Sequence, residues 1–156
     1  RCLLTSPRRL VYRLPPNMAV TLPTNPAPGS AHWVADQILF CHPPISHELA
    51  SIEAYYAAIA ARLDSRSGPY AIISDTRHVT KLPDARARQA HGELSAQLTK
   101  RFPGRCSHSV TVVGNVAMRA MVTAVTWFFS DGTLPQDVAS SVEEALRIVE
   151  KSLATR

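Results

Sequence analysis

Apolar and polar positions change period several times along the chain, and from about residue 31 the changes follow a regular order. Residues 31–34 and 37–41 read as a first pair of strands with Ala35-Asp36 as the turn. Ile38 and Phe40 alternate with Leu39 and Cys41, so the second strand is apolar on both sides and belongs inside a sheet. Pro43-Pro44 stops it. Ser46 is placed to cap a helix over residues 47–64, in which Leu49, Ile52, Tyr56, Ile59 and Leu63 recur at helical spacing. Residues 70–74 form a short apolar run that predicts a buried strand, with Asp75 at its C-terminal end. Residues 78–82 read as a loop, and Pro83 suits the first turn of a helix running to about Lys100. Residues 109–113 predict the next strand.

The remaining pattern holds one unusual element. Residues 116–129 carry Arg119 as their only charge and are apolar nearly all round, whereas a surface helix is polar on one side. Residues 136–139 fit a short edge strand. Ser140 or Ser141 then caps a last helix over 142–153, with Val142, Leu146 and Val149 inward. Two close strands followed by helix-to-strand returns predict an α/β fold, a small mixed sheet of about five strands with four helices.

Residues 1–29 interrupt this regularity. They hold Pro7, Pro15, Pro16, Pro23, Pro26 and Pro28, and proline fixes φ and removes a donor. The expectation is a flexible arm over 1–29 and a folded domain over 30–156. Met18 is then a candidate start, with 1–17 as upstream sequence. The apolar stretches Leu3-Leu4 and Leu10-Val11-Tyr12 are too short for a secretory signal.

Composition changes little. With 46% apolar and 19% charged residues, the chain reads as an ordinary globular protein. Arg1, Arg8, Arg9 and Arg13 account for most of the net charge of +5, so the excess belongs to the arm. Cys2, Cys41 and Cys106 are an odd number without paired spacing, which predicts reduced thiols and a cytoplasmic location. No apolar run reaches the ~18 residues of a membrane span.

The order of elements, together with particular residues, resembles the STAS domain of bacterial anti-sigma-factor antagonists, over roughly residues 30–153. The likeness is to divergent bacterial members of unknown function. It is carried by Tyr70-Ala71-Ile72-Ile73-Ser74-Asp75, a strand ending in Asp, and by the loop 76–82 leading into helix 83–100. Residues 110–115 running directly into an apolar helix, and Val138-Ala139-Ser140-Ser141-Val142-Glu143-Glu144-Ala145 at the end, are similar too. The resemblance implies a non-enzymatic signalling protein, regulatory or scaffolding, that works through protein contacts. It implies partner-binding residues Asp75, Arg77, Thr80, Asp84 and Arg88 and no cofactor. In phosphorylated members a Ser opens the helix after the Asp-ended strand; here that place holds Pro83, Asp84 and Ala85, and Thr80 is the nearest hydroxyl. Asp84 either supplies a permanent negative charge there or simply caps the helix.

Other constellations have plainer readings. Cys41, His42 and His47 have zinc-type ligand chemistry, but only three are local and Pro43-Pro44 divides them, so both histidines read as exposed loop and helix-start residues and no metal is expected. Asp75 beside His78 at a strand end could do acid–base work, yet no nucleophile motif accompanies it; with Arg77 it reads as an ion pair or turn network. Residues 76–119 hold eight basic residues against Asp84 and Glu93, with Phe102 as their only aromatic, so a base-stacking nucleic-acid surface is not expected and a solvated basic face is the plainer reading. The apolar helix 116–129 needs cover, and Met121 and Val125 are candidate contacts for a partner or for a second copy of the chain. The alternative function is a carrier of a small apolar ligand or lipid whose pocket that helix lines.

Overall fold

The computed structural model describes residues 10–14, 18–114 and 135–155. Its main body is a five-stranded mixed sheet. Strands β3 (Ser30–Ala35) and β4 (Ile38–His42) form an antiparallel hairpin. Strands β5 (Tyr70–Asp75), β6 (Cys106–Val112) and β7 (Gln136–Ala139) follow in parallel, and the spatial order β3-β4-β5-β6-β7 equals the chain order. Helix α1 (Leu49–Asp64) connects β4 to β5 and α2 (Ala85–Arg101) connects β5 to β6. Helix α3 (Val142–Ala154) follows β7. The mixed α/β class and the five-stranded sheet agree with the sequence reading. Three helices lie among the described residues; the fourth expected one, 116–129, with Met121 and Val125, lies outside them.

The two-residue period of the strands divides the core between the two faces of the sheet. Ile38, Phe40, Ala71, Ile73, Val110 and Val112 pack on one face against Val142, Ala145, Leu146 and Val149 of α3. Leu39, Cys41 and Tyr70 pack on the other against Tyr55, Ile59 and Leu63 of α1 and against Phe102 just beyond α2. Central strands sandwiched in this way must be apolar on both sides, which is why β4 carries no alternation of polarity.

Packing starts earlier in the chain than the proline content predicts. Strands β1 (Leu10–Leu14) and β2 (Met18–Leu22) form a separate antiparallel pair, and β2 lies against β3. Val20 is fully buried and Leu22 nearly so, both in the core on the α3 face. The core therefore begins at β2 and not near Ser30. No proline falls inside either five-residue strand; all six occupy positions before, between or after them. Gly29, at φ 79°, turns the chain from that segment into β3 and donates to the His42 carbonyl at 2.8 Å.

The helices run from the C-terminal end of the parallel strands back to the N-terminal end. At the N-terminal end Arg105 donates to the carbonyls of Leu63, Arg66 and Gly68 and lies over the rings of Tyr70 and Phe102. A planar guanidinium can meet that many acceptors while stacking; an ammonium cannot. Arg101 pairs with Asp64 at the same end. The described basic residues of 76–119 are thus divided between opposite ends of the sheet and do not make one basic face.

Candidate functional site

The opposite end, beyond the C-termini of β4, β5 and β6, gathers most of the chemistry. Asp75 closes β5 on the same face as Ala71 and Ile73 and is only 7% exposed. A carboxylate so placed needs a partner. Arg77 supplies it: Nε donates to Oδ1 at 2.9 Å, a terminal guanidinium nitrogen donates to Oδ2 at 2.7 Å, and the Arg77 backbone N–H adds a bond to Oδ1 at 3.2 Å. Burial would push the Asp75 carboxyl up, but the hydrogen bonds and charge of Arg77 outweigh it and hold the carboxyl below the ordinary range. The adjoining Thr76 anchors the loop start, donating from both N–H and Oγ1 to the Val112 carbonyl.

The loop from Thr76 to Asp84 then meets the loop from Pro43 to Glu48. The register Cys41↔Ser74 sets His42 beside Asp75 at the sheet edge, and the His42 and His78 rings stack with centroids 3.7 Å apart. His78 Nε2 donates to the Pro43 carbonyl at 2.7 Å. In return His47, from the first loop, donates from Nε2 to the Lys81 carbonyl at 2.8 Å. A carbonyl only accepts, so both rings carry their proton on Nε2 when neutral. The Nδ1 atoms of His42, His47 and His78 are buried without a hydrogen-bond partner. Burial first, then His78, lowers the pKa of His42; the nearby Asp75 charge opposes this and is outweighed.

Helix α2 begins where the second loop ends. Asp84 is its N-cap, with Oδ1 accepting from the Ala87 N–H at 2.8 Å, and Arg88 donates to the Pro83 carbonyl at 2.7 Å. Helix α1 begins after Glu48, two residues later than expected from Ser46, whose hydroxyl accepts from the Glu48 N–H instead of capping the helix. A cleft of about 470 Å³ opens between the two helix starts, with Leu49, Ile52, Ala87 and Ala90 as apolar lining and His47, Glu48, Asp84 and Arg86 as polar lining. Ile45, Leu49 and Leu82, the exposed large hydrophobic residues among those described, all lie at this end, 58%, 42% and 55% exposed.

The structure thus brings Asp75, Arg77, Thr80, Asp84 and Arg88 into one loop-and-helix unit, with Thr80 exposed. Asp75 and His78 are each engaged elsewhere, on Arg77 and Pro43, and do not form an acid–base dyad. Cys41 and His42 point to opposite faces, and burial pushes the Cys41 thiol up to about 12, so it stays protonated. Among the described residues no three of His, Cys, Asp and Glu come together so as to hold a metal ion. Among them also, no helix is long and apolar enough to cross a membrane. His42 and His47 are not simple exposed residues as expected; both are half-buried and tie the loops together. Comparison of the chain with family models, curated proteins and solved structures finds no match.

Proposed function

We propose that this is a STAS-like, non-enzymatic regulatory or scaffold protein that acts through protein contact at the C-terminal end of its parallel strands. The observation that carries this reading is the collection of Ile45, Leu49 and Leu82 at that one end, beside the exposed Arg77 and Lys81 of the loop and Arg86 in the first turn of α2. Exposed large apolar side chains are unremarkable when scattered singly, but their grouping on one patch marks an interaction surface. Apolar anchors with arginine at the margin are the composition of a protein interface. The sequential strand order after a leading hairpin and the Asp-ended β5 followed by α2 support a STAS-like assignment. The buried acid at the strand end is neutralised by its neighbour, an arrangement suited to shaping a loop.

Substitution of Leu82 by Glu tests the reading. Affinity capture from the native host with the wild-type chain should yield a defined partner that the Leu82→Glu chain fails to retain, while its melting temperature stays within about 2 °C, as expected for an exposed site. Equal capture by both chains refutes it.

A further inference from the structure

Two loops form the proposed contact end, and among the described residues histidines provide the side-chain hydrogen bonds between them: His47 of the first reaches the Lys81 carbonyl and His78 of the second reaches the Pro43 carbonyl. Between the straps His42 lies against the His78 ring, and each of the three rings buries an Nδ1 with no partner. A neutral ring tolerates this, because a bare lone pair loses little. A protonated His42 does not: its Nδ1 gains a buried N–H with no acceptor, and the added charge lies against the His78 imidazole.

We propose that the His42–His78 stack is a proton-operated clasp: neutral rings hold loop 43–48 to loop 76–84, and protonation parts the loops and dismantles the face carrying Ile45, Leu49 and Leu82. Among the described residues, the groups facing His42 are Asp75 and Arg77 at the end of β5, His32 of β3, and His78. Of these Asp75 alone favours a charged ring, and Arg77 already occupies both of its carboxylate oxygens. His47 is faced by His91 of α2 and, around the cleft, by Glu48, Asp84 and Arg86.

The sign follows from the geometry. The closed state disfavours the proton on His42, so the clasp is intact at neutral pH and loosens as pH falls below about 6.5, the ordinary histidine value that His42 regains once the loops part. With that open-state value, one histidine can disfavour closure by at most about elevenfold at pH 5.5. This regulation rests on the proposed contact face, whereas the clasp is measured on the purified chain, so either can fail without the other.

Hydrogen exchange of the full chain at pH 7.5 and 5.5, corrected for intrinsic rates, is the test. Protection in 43–48 and 76–84 should fall at pH 5.5, by up to about tenfold, while β5 and β6 keep theirs. A His42→Phe chain keeps a ring in the stack and loses the proton site, and its loops should be equally protected at both pH values. Equal protection of the wild-type loops at both pH values overturns the proposal, as does a folded His42→Phe chain that opens like wild type. Nitrogen-15 NMR of the wild-type rings supplies a second reading that does not depend on the variant. It should show the Nε2–H tautomer for His47 and His78 at pH 7.5 and a His42 midpoint below 6.5; the Nδ1–H tautomer, or a midpoint above 6.5, also overturns it.

Discussion

The Arg77 guanidinium closes on both oxygens of the Asp75 carboxylate, at 2.9 and 2.7 Å, and so fixes the first turn of the loop that leaves β5. The acid is nearly buried while the arginine is half exposed, so the pair's worth lies in preventing an unpaired carboxylate more than in the attraction itself. Arg77→Met should cost about 1–2 kcal/mol at pH 7. Because Asp75 titrates below its ordinary value in the fold, its contribution is full above about pH 4 and is lost as pH falls through the lowered value. Urea melts of the two chains should therefore differ at pH 7 and converge toward pH 3.

Asp84 separates two roles that the sequence leaves joined. Its Oδ1 caps α2 through the Ala87 N–H, and the same atom could carry a permanent charge for a partner. Asp84→Asn keeps the acceptor and should stay within about 0.5 kcal/mol of wild type, whereas Asp84→Ala should lose about 1 kcal/mol. If charge is the signal, Asp84→Asn loses partner affinity with its melting curve nearly unchanged. If capping is the whole role, affinity is retained.

Leu22 marks where the core begins. Its side chain sits with Val20 among the residues that α3 covers. Leu22→Ala should destabilise by about 2–3 kcal/mol, near the low end for buried leucines because the site lies at the margin of the core. For a chain of this size that corresponds to a drop in melting temperature of roughly 4–12 °C. An unchanged melt would mean that the segment before Ser30 does not share the core.

Much of the architecture was legible because the punctuation is strong. Pro43-Pro44, Gly68-Pro69 and Pro103-Gly104 bound α1 and α2, and Ser141 caps α3 through the Glu144 N–H as its position predicts. The β1–β2 pair was not legible, since proline density over a window hides two short proline-free strands that fit between the prolines. At the site, Asp75 and Arg77 are two residues apart, so their pairing could be read locally. The histidine straps could not, because they depend on the parallel register of β4 and β5, which brings together residues 34 to 36 positions apart. Their only sequence signal is that His42, His47 and His78 fall in the two loops that follow adjacent parallel strands.

The most direct measurement of the central claim is site-specific photo-crosslinking in the native host, with a photoreactive phenylalanine at position 82 and, for comparison, at exposed Ser67 near the opposite end of the sheet. The account predicts one dominant protein adduct from position 82 that is absent from position 67. No adduct from position 82, or the same adducts from both positions, would contradict a contact face at the C-terminal end of the strands.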